Sequence, residues 1–475
     1  MTTDTDRARW VALVVLCVGV LMIVLDATVT NVALPSIQSD LGFSQSALAW
    51  VVNAYLIAFG GLLLLAGRLG DLISRRKVFL AGLAVFTVAS LACGTAQSQE
   101  WLVAARFVQG AGGAMTSAVV LGMIVTMFPE PREQAKAIGV YSFVASAGGS
   151  IGLLAGGVLT QSLDWHWIFF VNLPIGIVTA VLALRLIEPD RGTGFAGGAD
   201  VPGALLITSS LMLLVYTIVQ PAAQDGWGAP RTLAFGAGAL ALLAAFVARE
   251  ATAAHPLVPL RILRSRTVAG ANAIQALVVA GMFGMFFMGA LYLQRVLGYD
   301  PLQIGLAFLP CTLVMGALSL RYSSRLITRF GPLRTLVPGL ALVASGLLGF
   351  TLAPVDGDYL VHVLPVMLLI GTGVAVAFPA LMTLAMSGAT PADAGLASGL
   401  VNTTVQVGGA LGLAVLATLA ASQTGGSSAP AALNDGYHLA YLIGAALVVA
   451  AIGVALTVLR PAARRARLQP CAEAV

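Results

Sequence analysis

Charged side chains are scarce in this chain, because Asp, Glu, Lys and Arg together make up only 9% of its 475 residues. A soluble domain carries about 25% of these residues, which cover its water-facing surface. Hydrophobic residues make up 59% of the sequence, and the mean hydropathy is +0.94. The composition therefore excludes a soluble globular protein and indicates that lipid surrounds most of the chain.

Residue types that build chemical sites are also few. Lysine occurs only at positions 77 and 136, and neither lysine lies in a nucleotide-binding G-x-x-x-x-G-K-[ST] loop. The four histidines and four cysteines show no H-E-x-x-H motif, metal-ligand spacing or disulfide spacing. We therefore expect no cofactor and no bound metal, so that energy must come from a gradient or from a separate subunit.

Apolar segments of bilayer length follow one another from end to end of the chain, and no soluble domain remains between them. A transmembrane helix needs about 20 mostly apolar residues, so each segment predicts one span. The spans are predicted at residues 10–31, 46–67, 78–96, 101–124, 137–160, 167–187, 202–220, 232–248, 267–293, 302–322, 335–353, 361–384, 398–421 and 439–459. We predict an all-α integral membrane protein with fourteen transmembrane helices.

The basic residues lie in the short loops between these segments, so the net charge of +5 does not indicate nucleic-acid binding. Of the 25 Lys and Arg residues, 22 fall on one side of the predicted membrane. Arg231 and Arg295 fall on the other side, and Arg106 lies within a span. Since basic loops stay in the cytoplasm, the distribution predicts an even number of spans with both termini inside the cell.

The first six and the last six spans form an internal repeat with a shift of 257 residues. The shift places Arg68 on Arg325 and Lys77 on Arg334, in the loops after the second and tenth spans. Two parallel six-helix halves are typical of secondary transporters that work by alternating access. We predict an N-terminal six-helix bundle (1–190), two inserted helices (191–260) and a C-terminal six-helix bundle with a basic tail (261–475).

Two charged side chains lie well inside predicted spans, Asp26 in the first and Arg106 in the fourth. Each lies five residues from the outer end of its span, which corresponds to a depth of about 7–8 Å. Opposite charges at matching depth are expected to be partners or near neighbours, and an ionisable residue inside the membrane indicates a functional site. Asp26 can load and release a proton beside Arg106; the alternative is a static structural ion pair.

The loop from Gly67 to Lys77, after the second span, combines glycine, acidic and basic residues. Asp71 can cap or pair with basic residues and helix ends of the other half and so form a latch that breaks on opening. The alternative interpretation is a basic loop that sets topology.

Two apolar segments carry distinctive side chains. In the fifth span, Gly148, Gly152 and Gly156 recur every four residues and give one helix face without side chains, for a functional close helix contact or for simple structural packing. In the ninth span, Met282, Phe283 and Phe286 belong to a Met- and Phe-rich run that suits a cavity for varied apolar ligands. Core packing or contact with lipid is the alternative for this run.

The ordered set of motifs resembles the major facilitator superfamily, and specifically its fourteen-helix drug:proton antiporters, the DHA2 family. Leu25 to Pro35 is similar to the first-span motif of that family, and Gly67 to Lys77 is similar to motif A. Further similar segments are Arg106 to Gly112 (motif B), Gly148 to Gly157 (the antiporter motif C), Trp167 to Gly176, and Gly226-Trp227. Three positions depart from the pattern: Ser74 stands where motif A usually has Gly, Leu153 where motif C usually has Pro, and His166 where members often have Arg.

The resemblance implies proton-coupled export of small amphipathic drugs, antibiotics or metabolites from the cytoplasm, across the cell membrane, by a protein that works as a monomer. It implies that Asp26 and Arg106 couple protons. It assigns Gly67, Asp71, Arg75 and Arg76 to the inner gate, and Gly148, Gly152, Gly156 and Gly157 to the antiporter motif. Candidate substrate-cavity residues are Asn31, Gln109, Met282, Phe283 and Phe286.

Two other functions are compatible with the same sequence. A symporter or uniporter can use the same fold, although motif C favours an antiporter. A membrane-embedded sensor or enzyme is disfavoured, because the sequence has neither a catalytic constellation nor a soluble domain. No predicted span after the sixth contains an acidic residue, which favours neutral, monocationic or zwitterionic apolar substrates over dicationic ones.

Overall fold

The computed structural model describes residues 2–190, 192, 194, 200–219, 225–254, 256, 257, 261, 264–387, 394–425 and 427–459. All regular elements in these ranges are helical. Thirteen helical segments are long and apolar enough to cross a membrane, and the helix Pro131–Ser162 carries a shorter apolar stretch, Ile151–Ser162. Each of the fourteen predicted spans coincides with one of these helices, so the all-α membrane fold is confirmed. The basic tail after residue 459 lies outside the described residues.

One compact unit comprises Met1–Leu257 together with Gly298–Leu306. Its helices are α1 (Thr2–Leu41), α2 (Gln45–Leu72), α3 (Arg75–Gly94), α4 (Gln99–Met127), α5 (Pro131–Ser162), α6 (Asn172–Leu186, preceded by the short helix Trp167–Phe170), α7 (Val201–Val219) and α8 (Pro230–Thr252). The inserted helices α7 and α8 pack on each other, and α7 also packs on α2.

The other compact unit comprises Val258–Leu297 and Ala307–Val475. Its helices are α9 (Arg266–Leu291), α10 (Pro301–Leu318, whose first turns count with the other unit), α11 (Pro332–Phe350), α12 (Leu364–Ser387), α13 (Ala394–Thr424) and α14 (Pro430–Val454). Single π-helical turns extend four of them, at Tyr292–Val296, Ser319–Ser323, Tyr359–Val363 and Ala455–Leu459.

Serine residues define where several spans begin. The hydroxyls of Ser44, Ser74 and Ser98 accept backbone N–H groups three residues on, at 3.1–3.2 Å, and so cap α2, α3 and α4. Gly42, at φ +68°, makes the turn between α1 and α2, where a side chain would be strained. A glycine turn thus ends the first span, and serine caps start the second, third and fourth.

Close helix contacts in the first unit depend on small residues. A Cβ atom at Gly112 of α4 would lie 2.5 Å from the backbone nitrogen of Phe86 in α3, and one at Gly82 would lie 2.6 Å from the nitrogen of Thr116. Because lipid supplies no hydrophobic force between helices, such backbone approach gives the packing contacts that hold α3 on α4.

Candidate functional site

An ion pair between α1 and α4 lies at the centre of the candidate site. The Nη1 atom of Arg106 is 2.5 Å from Oδ2 of Asp26, and the residues are 1% and 2% exposed. The sequence placed these charges at the same depth, and the structure brings them into direct contact. Breaking a buried pair by removing one partner costs about 3–5 kcal/mol, so the two charges depend on each other.

Two amide side chains complete the surroundings of the Asp26 carboxylate. Oδ1 of Asp26 accepts hydrogen bonds from Nε2 of Gln109 at 2.7 Å and from Nδ2 of Asn172 at 3.0 Å. Oε1 of Gln109 accepts from Arg106 at 2.7 Å, and its Nε2 also donates to the Ser90 hydroxyl at 2.9 Å. Helices α1, α3, α4 and α6 are therefore joined by one polar network inside an apolar bundle.

The Arg106 guanidinium is held from several directions. Its Nε donates to the carbonyl oxygen of Val51 at 2.9 Å. Its Cζ lies 4.4 Å from the ring centroid of Tyr55 and 5.6 Å from that of Phe169, within the range of cation–π attraction. The guanidinium is fixed and stays protonated, so any change of charge in this pair would have to occur on Asp26.

Sequence reasoning missed two members of this network as site residues. Asn172 belongs to a segment that resembles the family but was given no role, and Ser90 was not singled out. The available signal for Asn172 was a polar residue at the start of an apolar run, two residues before Pro174. Gln109 was predicted to line a substrate cavity, but it is fully buried and bonded within the network.

The predicted inner-gate residues cluster where α2 passes into α3. Nη2 of Arg75 lies 2.9 Å from Oδ1 of Asp71, and Nη1 of Arg75 donates to the Thr126 hydroxyl at 2.9 Å and to the Gly122 carbonyl at 3.1 Å. Arg75 therefore links the start of α3 to the C-terminal end of α4. Arg76 reaches the Leu184 carbonyl of α6, and a Cβ atom at Gly67 would lie 3.8 Å from Cβ of Ala118.

Asp190, which sequence reasoning missed, anchors the same loop. Its carboxylate accepts hydrogen bonds from the Ser74 hydroxyl at 2.5 Å and from the backbone N–H groups of Arg75 at 2.7 Å and Arg76 at 3.1 Å. Partial burial raises the pKa of Asp190, but these hydrogen bonds outweigh it and hold the pKa below its ordinary value. Ser74 has extended backbone at φ 171°, so serine in place of the usual glycine introduces no strain and caps α3.

The glycine face of α5 lies against α1. A Cβ atom at Gly148 would meet Leu21, one at Gly152 would overlap the Thr28 hydroxyl, and one at Gly156 would lie 3.0 Å from Val29. Gly157 points elsewhere, to Pro301 and Leu302. The helix α5 continues through Leu153, where the family usually has Pro. The glycines thus let α5 approach the helix that carries Asp26, and their role as an antiporter motif stays a prediction.

The other predicted cavity residues differ in their surroundings. Asn31 donates to the Ala27 carbonyl of its own helix at 3.2 Å, and Met282 is buried. Phe283 and Phe286 are half-buried; the first packs against Gly409, and the ring of the second lies 5.5 Å from that of Phe308. Their part in substrate binding stays a prediction.

Comparison with known proteins gives the family. A family model described as Major Facilitator Superfamily matches residues 16–413. The chain is 41% identical over 465 residues to the cephamycin export protein CmcT of Amycolatopsis lactamdurans, covering 98% of this chain and 95% of that protein. It is 39% identical over 451 residues to the puromycin resistance protein pur8 of Streptomyces alboniger, covering 94% and 89%.

Solved structures show the same fold at low sequence identity. A bacterial homolog of the human lysosomal transporter Spinster matches with a TM-score of 0.67 and 18% identity, covering 95% of this chain and 98% of that chain. The nucleoside transporter NupG matches with a TM-score of 0.68 and 12% identity, covering 94% and 99%.

Proposed function

Since this chain belongs to the major facilitator superfamily, we propose that it exports small amphipathic compounds from the cytoplasm in exchange for protons. The family supports a transporter rather than an enzyme, and the relatives named above are antibiotic export and resistance proteins. The protein would act as a monomer in the bacterial cell membrane with both termini inside, and the proton gradient would supply the energy.

The buried Asp26 carboxylate carries this proposal. Of the two charges that form the intramembrane pair, the guanidinium stays protonated, so we assign the exchanged proton to the carboxylate. A proton on Asp26 removes its attraction for Arg106 and leaves a buried cation without a counter-charge. Such an uncompensated charge destabilises this arrangement by several kcal/mol. Protonation therefore changes the relative energy of arrangements that bring α1 and α4 together, which is what coupling requires.

The relatives and the charge distribution support a proposal for the substrate class. The names of the two relatives refer to cephamycin export and puromycin resistance. These names favour antibiotics or similar secondary metabolites as substrates. The predicted spans of the second half contain no acidic residue that would pair with a second positive charge. We therefore expect neutral, zwitterionic or monocationic compounds to be preferred over dications.

Efflux from everted membrane vesicles tests the proposal. Asp26→Asn should leave the protein in the membrane but abolish substrate transport driven by a pH gradient. Asp164→Asn, on a half-exposed side chain that bonds His166, is the matched control and should transport like the wild type. Unchanged gradient-driven transport by Asp26→Asn would rule out Asp26 as the proton carrier, and transport in the direction of proton flow would indicate a symporter.

A further inference from the structure

Among the described residues, three side chains donate hydrogen bonds to the Asp26 carboxylate. Arg106 donates to Oδ2, and Gln109 and Asn172 donate to Oδ1. This arrangement fits an ionised carboxylate, which only accepts hydrogen bonds. A protonated Asp26 has an O–H group to place, and leaving it unpaired in a buried site costs about 1–3 kcal/mol.

Two of the three partners are poorly suited to accept that hydrogen bond. Arg106 has no acceptor atom. Oε1 of Gln109 already accepts from Arg106 at 2.7 Å, and Nε2 of Gln109 also donates to Ser90 at 2.9 Å. Oε1 of Gln109 also accepts a hydrogen bond from the Cys93 thiol at 3.6 Å. Turning the Gln109 amide by 180° would therefore break three hydrogen bonds in addition to the one with Asp26.

Asn172 differs from both of them. It is 1% exposed, and among the described residues its Oδ1 atom has no hydrogen-bond partner. Turning its amide breaks only the bond that Nδ2 donates to Asp26 and brings an acceptor oxygen to the same place. In either orientation one atom of the amide lacks a protein partner, so the two orientations are similar in the number of buried unpaired groups.

We propose that Asn172 is a two-state partner of Asp26, which donates to the ionised carboxylate through Nδ2 and accepts from the protonated carboxyl group through Oδ1 after its amide turns. The inference rests on the proposed role of Asp26 as proton carrier and adds a residue that stabilises both protonation states. Asn172 is also the first residue of α6, and one residue, Val171, separates it from the short helix Trp167–Phe170. The proton on Asp26 is thereby linked to the start of α6.

Infrared difference spectroscopy of the full-length protein in lipid vesicles tests this inference. Spectra recorded from about pH 4 to about pH 9 should contain the C=O band of a protonated carboxyl group that is missing in Asp26→Asn. Asn172→Leu keeps the side-chain shape but removes both hydrogen-bonding atoms. We expect the Asp26 band to move to higher wavenumber in this variant, because the carboxyl O–H no longer has an acceptor.

Asn272→Leu is the matched control. Asn272 is a buried asparagine of α9 that bonds the Val268 carbonyl and Thr404. Its replacement should leave the Asp26 band in place. A band at the wild-type position in Asn172→Leu would overturn the inference while leaving Asp26 as a titrating group. Absence of any band that depends on Asp26 would overturn the proposed coupling as well.

A measurement on the unchanged protein covers the case in which Asn172→Leu does not fold. The chain has six asparagines, whose side-chain carbonyls can be labelled with 13C. The proposal predicts an isotope-sensitive amide change that titrates together with the Asp26 band. An asparagine signal that stays constant while Asp26 titrates would contradict it.

Discussion

Replacing Gly152 by alanine is expected to push α5 away from the helix that carries Asp26. A Cβ atom at this position overlaps the Thr28 hydroxyl and lies 3.2 Å from the Leu25 carbonyl oxygen. The Thr28 hydroxyl is held by carbonyls of its own helix at 2.9 and 3.1 Å, so it cannot turn away without losing these bonds. Such overpacking costs about 1–3 kcal/mol, against a gain of about 1 kcal/mol for alanine over glycine within a helix.

Gly149→Ala supplies the matched control, because a Cβ atom there meets no described atom within 4 Å. This variant has the same gain in helix propensity without the overlap, so it should be neutral or slightly stabilised. Thermal unfolding of the two purified variants isolates the cost of the overlap, about 1–3 kcal/mol. Gradient-driven efflux should fall in Gly152→Ala only, since Thr28 lies two residues from Asp26. An unfolding temperature for Gly152→Ala equal to that of Gly149→Ala would refute this reasoning.

Two further predictions concern the loop between α2 and α3. Asp190→Ala should destabilise the protein by about 1 kcal/mol, because α3 loses a charged cap. Partial burial raises the pKa of Asp190, but the hydrogen bonds lower it overall. The stabilisation is therefore present above pH 3.8, the ordinary pKa, and is lost as the pH falls through the lowered pKa. Thermal unfolding followed from about pH 7 to about pH 3 should lose less stability in the variant than in the wild type, and parallel curves would contradict this. Asp71→Ala should lower the transport turnover more than the substrate affinity, since Arg75 loses its carboxylate partner; wild-type turnover at saturating substrate would refute the inner-gate assignment.

The positions of the helices could be predicted from the sequence because bilayer thickness sets a length that hydropathy alone reveals. The pairing of Asp26 with Arg106 could also be predicted, since charges within spans are few and these two lie at the same depth. Each prediction used a physical constraint that acts along the chain or along the membrane normal. Neither required knowledge of which helices are neighbours.

The uncharged hydrogen-bond partners of Asp26 could not be predicted in this way, because neither constraint tells which helices lie side by side. Asn172 is 146 residues from Asp26, and an uncharged amide in an apolar run is also compatible with ordinary helix packing. Asp190 is a comparable case, because an acidic residue in a loop has many potential partners. Asp190 contacts the start of α3 because the segment after α6 lies beside Ser74, and the sequence does not predict that proximity.

Close glycine packing between two helices recurs in the second unit, one position away from the register of the sequence repeat. The glycines Gly408 and Gly412 of α13 approach Ala276 and Ala280 of α9, as the glycines of α5 approach α1.

At the repeat positions of Asp26 and Arg106, 257 residues further on, stand the apolar residues Phe283 and Val363. Val363 is fully buried, and Phe283 packs on Gly409, the repeat position of Gly152. If proton exchange required charges in both halves, the second half would have to retain at least one of them. Its apolar replacements favour the proposal that the proton is handled within the first unit, by Asp26 beside Arg106.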